Sequence, residues 1–119
     1  MHELAIARGI LATALRRAEG RRVVSVEVSV GALRQVVPSS LAFGFEALAR
    51  GTGCEGATLE QRLRPGRLEC VCGMRWELVE LSFLCPRCGG GRTEVIGGEE
   101  LAVESIEVEV EEEPCIAPR

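Results

Sequence analysis

CVCGMRWELVELSFLCPRCGG, residues 70–90, puts Cys70, Cys72, Cys85 and Cys88 into two close pairs with twelve residues between Cys72 and Cys85. Two short cysteine pairs split by a hairpin-length insert are the arrangement that wraps a tetrahedral zinc ion. The chain's one histidine is His2, far away in sequence, so the expected site is all-thiolate and closed. A closed site is structural, because it leaves no coordination position for water or substrate. Gly73 and Gly89 follow the two pairs. Glycine there lets the backbone adopt positive φ and turn its amides toward the sulfurs. The first pair is spaced Cys-x-Cys, where Cys-x-x-Cys is usual. In an extended segment, residues i and i+2 point the same way, so Cys70 and Cys72 can still face one ion.

Disulfides are the competing use of six cysteines, and they require an oxidising compartment. The opening residues MHELAIAR carry Glu3 and Arg8 and have no basic region ahead of an uninterrupted apolar run, unlike a secretory signal. No segment approaches the ~18 apolar residues of a membrane span. A cytoplasmic address is therefore expected, and with it zinc. Cys54 reads as a small, partly buried apolar residue and Cys115 as an exposed tail thiol.

Outward from the cysteines, the chain alternates helix and strand. From Glu3 to Glu19, Leu4, Ala7, Leu11, Ala14, Leu15 and Ala18 mark one helical face, closed by Gly20 and with Arg16 and Arg17 at the C-terminal dipole. Val24, Val26, Val28 and Val30 alternate with Ser25, Glu27 and Ser29, the pattern of a half-buried strand. Pro38 opens a second helix whose stripe is Leu41, Phe45, Leu48 and Ala49. A loop over residues 51–56 leads to a strand at about 57–64, and Pro65-Gly66 breaks it. Near the end, Ile106, Val108 and Val110 alternate with glutamates. Their parity does not run back through Val103 and Leu101, so a bulge is expected near Ser105. Residues 112–119 read as a frayed tail. The expected fold is α+β. A small three-stranded sheet with two helices is built from 1–65 and 98–119, and a zinc-ribbon-like module, 66–97, is inserted into it.

Composition narrows the function. All 14 basic residues are arginine and are outnumbered by 18 acids, for a net charge of −4; aromatic side chains are limited to Phe43, Phe45, Phe83 and Trp76. A nucleic-acid-binding ribbon ordinarily shows a basic face and stacking rings, so protein partners are the better expectation. The glutamates of residues 99–113 read as a solvated strand face. A hydrolase has neither an open metal position nor a Ser/His/Asp set to work with.

His2 is different in kind from the cysteines. At position 2, the imidazole, its own backbone nitrogen and the terminal amine can close small chelate rings on one ion. Imidazole at ~6.5 and the α-amine at ~7.7–8.0 both titrate near neutrality and are available as ligands. Ni(II) and Cu(II) favour planar, nitrogen-rich sets of this sort. A chain start is exposed, so a metal held there can be handed on.

With these features in order, the sequence resembles the HypA/HybF family of hydrogenase nickel-incorporation proteins. The resemblance rests on Met1-His2-Glu3-Leu4, the strand ending in Gly31-Ala32-Leu33, the segment from Pro38 to Glu46, Glu55-Gly56-Ala57, the cysteine pairs, and Gly98-Glu99-Glu100-Leu101. It implies a non-enzymatic nickel metallochaperone that delivers Ni(II) to the active site of [NiFe] hydrogenase. The implied partners are a nickel-handling GTPase, the hydrogenase large subunit and, for some relatives, urease maturation proteins. By resemblance, His2 with the backbone around Met1 and Glu3 holds nickel as transient cargo, and Cys70, Cys72, Cys85 and Cys88 hold structural zinc. Two features depart from the family pattern: the first cysteine pair is one residue short, and no second histidine is present to assist at nickel. The alternative is a zinc-ribbon adaptor for nucleic acid or protein, which explains the cysteines and leaves His2 without a role.

Overall fold

The computed structural model describes residues 3–78 and 82–110. Its first helix, α1, spans Glu3–Ala18 and buries Ala7, Ile10, Leu11, Ala14 and Ala18. These positions follow the three-to-four-residue spacing of one helical face. Leu4, expected on that stripe, is 58 % exposed, and Ile10 is the buried member the pattern did not single out. Glu19 and Gly20 end the helix in the left-handed region, at φ 52° and 86°, and the Arg21 amide donates to the Ala18 carbonyl.

Strand β1, Val23–Gly31, is the centre of the first sheet. The expected valine parity fails at its start: Val23 is buried with Val26, Val28 and Val30, whereas Val24 is exposed. The cause is a register shift between Val23 and Ser25 against the neighbouring strand, which leaves Val24 as an extra residue and turns it outward. Helix α2, Pro38–Ala49, starts with its proline at the first turn, as expected. It buries Leu41, Gly44, Phe45 and Ala49. Strand β2, Thr58–Arg64, returns parallel to β1 with Val26 opposite Leu59 and Val30 opposite Leu63. The helix supplies the crossover that parallel strands require.

The other side of β1 is reached only after an excursion. Arg67–Cys70, Arg75–Glu77 and Thr93–Gly97 form β3, β4 and β5, a separate antiparallel sheet ordered β4-β3-β5. None of these strands was expected, because segments this short carry no readable alternation. Strand β6, Leu101–Val108, then pairs antiparallel with β1. Its register skips Glu104, between Ser105 opposite Glu27 and Val103 opposite Val28. That is the irregularity expected near Ser105. The strand ends at Val108, so Val110, expected within it, lies beyond it and is exposed. The tail, residues 111–119, lies outside the described residues.

The main core is the layer between the helices and the first sheet, with Val23, Val26, Val28, Leu41 and Phe45 essentially excluded from water. Fully burying each such side chain contributes ~1.5–3 kcal/mol before entropy is counted. Among the described residues no helix is long and apolar enough to cross a membrane.

The two sheets meet where three glycines touch. The Gly31 amide donates to the Glu100 carbonyl at 2.6 Å, and the Leu33 amide donates to that of Gly98 at 2.8 Å. A Cβ on Gly31 would collide with the Gly98 carbonyl and lie 2.6 Å from the Glu100 nitrogen. Gly98 (φ +98°) in turn rests against Gly66, with no room for a Cβ beside Pro65 and Gly66. Gly31 itself has φ −70°, so it is glycine for space and not for conformation. The Glu100 carboxylate accepts from the Gly98 amide. Its own amide, that of Gly98 and that of Glu99 hold its carboxyl below the usual carboxylate range. This contact is intact at neutral pH and is lost as pH falls through the depressed value.

Gly31→Ala is expected to destabilise the fold by at least ~2 kcal/mol, because packed backbone on two sides cannot retreat. Gly9→Ala, in α1 with nothing near its Cβ position, should stabilise by ~0.5–1 kcal/mol through helix propensity. Thermal unfolding of the two variants checks this. Similar midpoints for both would contradict the close-packed junction.

Candidate metal centre

Cys70 is the last residue of β3, and Cys72 lies in the turn that follows. The Gly73 amide donates to the Cys70 carbonyl at 2.8 Å, and the Cys70 amide donates to the Met74 carbonyl, also at 2.8 Å. The pair is therefore brought together by a tight turn with Gly73 at φ +96°, and not by the extended geometry expected from its spacing. Turning the chain points both sulfurs inward, which is why a single intervening residue suffices.

Cys85 and Cys88 sit on a second turn, closed by the Gly89 amide donating to the Cys85 carbonyl at 2.9 Å, with Gly89 at φ +70°. Backbone amides surround its sulfurs. Cys85 Sγ accepts from Arg87 at 3.4 Å and from Cys88 at 3.5 Å, and Cys88 Sγ accepts from Gly90 at 3.3 Å. Such donors stabilise thiolate, the form that ligates metal.

The structure brings all four cysteines together. Their Sγ atoms lie within 4.8 Å of one another, with Cys70 to Cys88 at 3.6 Å and Cys72 to Cys85 at 3.7 Å. A tetrahedron with ~2.3 Å zinc–sulfur bonds has sulfur–sulfur edges of ~3.8 Å. The donor set and its dimensions thus fit zinc. They do not fit disulfides, whose sulfurs are ~2.05 Å apart. All four thiols are free, Cys70 and Cys85 buried, Cys72 and Cys88 exposed.

Their charges divide unevenly. The Cys72 amide favours the Cys70 thiolate, but burial and the thiols of Cys72, Cys88 and Cys85 outweigh it and push Cys70 up to about 12. Burial opposes ionisation of Cys85 too, yet the amides of Cys88 and Arg87 and the thiols of Cys72 and Cys88 bring it down to about 7. Of these two, Cys85 is the readier to ionise, and a metal held by Cys70 would have to displace its proton.

Cys54 is remote from this cluster, wholly buried in the main core, where burial pushes its thiol up. Cys115 lies outside the described residues. So do Met1 and His2, the principal nickel ligands expected from sequence. Glu3, the third, is the first residue of α1 and half-buried. Beside it runs a shallow groove between the helices, lined by Glu3, Leu4, Arg8, Ser40, Phe43 and Gly44. Phe43 is 73 % exposed there, next to the exposed Leu4. Phe43 lies off the stripe read for the second helix, whereas Leu4 was expected on a buried face and only the packing of α1 on α2 shows that it faces outward.

Comparison with known proteins agrees with this architecture. The family model described as hydrogenase/urease nickel incorporation, metallochaperone, hypA matches residues 1–108. The chain is similar to the hydrogenase maturation factor HypA of Geobacter metallireducens, with 41 % identity covering 92 % of this chain and 100 % of that protein. It is similar also to the HypA of a Nostoc species, with 38 % identity over 98 % of this chain and 100 % of that one. Among solved structures, the solution structure of the Ni metallochaperone HypA from Helicobacter pylori superposes with a TM-score of 0.66 at 22 % identity, covering 91 % of this chain and 97 % of that one. At that identity the likeness speaks for the fold.

Proposed function

The chain belongs to the HypA family of hydrogenase/urease nickel-incorporation metallochaperones, and from that premise we propose that it collects Ni(II) at its amino-terminal end and delivers it to the [NiFe] hydrogenase active site during maturation. The observation that carries this reading is the extent of the family match. It begins at residue 1 and runs through both sheets to residue 108, so it takes in Met1-His2-Glu3 as well as all four clustered cysteines.

The cargo site uses the His2 imidazole and the backbone nitrogens around Met1 and Glu3. Glu3 opens α1, and the first amides of a helix have no intrahelical acceptor, so none of the helix's hydrogen bonds is sacrificed when nickel claims one. With His2 as the only imidazole in the chain, backbone nitrogen, the Glu3 carboxylate or water completes the set. In sequence the ligands come immediately before α1 and at its first residue, and a chain start suits cargo that must leave.

Cys70, Cys72, Cys85 and Cys88 hold zinc, whose chemistry there is to cross-link two turns with no position left open for a substrate. On this reading residues 66–97 are an inserted zinc-binding module, and 1–65 with 98–119 form the nickel-binding domain. The partners are the nickel-handling GTPase of hydrogenase maturation and the hydrogenase large subunit, with urease maturation proteins the secondary reading, all in the cytoplasm. A nucleic-acid role is disfavoured by 18 glutamates against 14 arginines.

A host that makes a [NiFe] hydrogenase and lacks this protein should lose most of its hydrogenase activity in trace nickel and recover it when nickel is supplied in excess. A deficit that excess nickel leaves unchanged would count against nickel delivery.

A further inference from the structure

The two halves of the cysteine centre are not equivalent. Cys85 accepts two backbone amides and Cys88 accepts one. Cys70 is buried and has the Cys72 amide beside it. Cys72 is exposed and, among the described residues, its sulfur receives no backbone N–H. The two turns differ at one amide. In both turns the next amide, that of Gly73 or Gly89, closes the turn on the carbonyl of the first cysteine; the difference lies one residue on, where the Gly90 amide is aimed at the sulfur of Cys88 and, among the described residues, the Met74 amide makes no such bond to Cys72.

We propose that Cys72 is a modification site, the point at which soft electrophiles attack the four-thiolate centre. The inference rests on the zinc reading above. In a metal centre every sulfur is already thiolate, so ionisation no longer ranks them. What ranks them is access and the lone-pair density that each N–H donor withdraws. Cys70 and Cys85 fail on access. Cys88 is exposed but carries an amide, and Cys72 is exposed and carries none. In the reaction with an alkyl halide, a lone pair on the Cys72 sulfur forms the S–C bond as the C–I bond breaks and iodide leaves with its electron pair. The product is a neutral thioether, so the centre loses one anionic ligand and its hold on zinc weakens. The short first pair thereby places a reactive gate on an otherwise closed site.

Limited alkylation of the zinc-loaded full chain carrying Cys115→Ser tests this, with iodoacetamide as the probe and a chromogenic chelator following zinc release. Trypsin separates the sites, because cleavage after Arg87 parts Cys85 from Cys88, and fragmentation of the peptide 68–75 resolves Cys70 from Cys72. Zinc content before alkylation tests the underlying reading on its own. With zinc bound, Cys72 should be labelled at least about fivefold faster than Cys88, the scale of one hydrogen bond. Zinc release should track that labelling, and buried Cys54 should remain unmodified. Cys88 or Cys70 reacting first, or four equal rates, overturns the proposal.

Discussion

His2→Ala is expected to abolish specific Ni(II) binding, lowering affinity by at least on the order of 100-fold, since even a supporting residue can cost a metal site that much. Adding two residues ahead of Met1 should be as damaging. The extension leaves the imidazole in place and displaces the terminal amine, so it separates a terminal chelate from a side-chain site. Affinity should also fall on acidification, as protons compete for the imidazole at ~6.5 and the amine at ~7.7–8.0. Isothermal titration of nickel into the native, extended and His2→Ala chains measures all of this. An extended chain that binds nickel as tightly as the native one would refute the geometry.

Zinc loss should divide the molecule. Among the described residues of 66–97, only Leu68, Cys70 and Cys85 are buried apolar side chains, too few to offset the entropy of ordering that length of chain. Zinc binding supplies ~10–16 kcal/mol in small structural sites. Cys85→Ser and Cys70→Ser should therefore both release zinc and collapse amide dispersion across 66–97. The helices and the sheet of β1, β2 and β6, which share their own core, should persist. Cys54→Ser and Cys115→Ser should retain zinc. Zinc kept by Cys70→Ser and lost from either of those would move the fourth ligand outside the cluster. Nuclear magnetic resonance of the amides, with metal analysis on the same samples, distinguishes these outcomes.

Several of these residues were legible without coordinates. The paired cysteines announced a cluster of four thiols because ligand spacing is a local property of the chain. The Leu41, Phe45 and Ala49 stripe survived because helical periodicity is local as well. The parity break before Ile106 pointed to a bulge, and the register skips Glu104 as that break required. Val24 was misread for the opposite reason. Its alternation with Val26 looked continuous, and nothing within β1 shows that pairing with β6 slips by one residue at that point.

By itself, then, the sequence determined the elements with a repeat and the clusters with a spacing: two helices, three strands, four cysteines and the lone His2. Tertiary structure alone decided the rest. It converted Cys-x-Cys from an extended pair into a turn, because the Gly73 amide found the Cys70 carbonyl and not a sulfur. It assembled β3, β4 and β5, each too short to show a period, by pairing them with one another. It also gave Gly31, Gly66 and Gly98 their purpose, since three backbones in contact lie 35 and 32 positions apart in sequence. No local pattern encodes a contact at that distance; only the closed fold does.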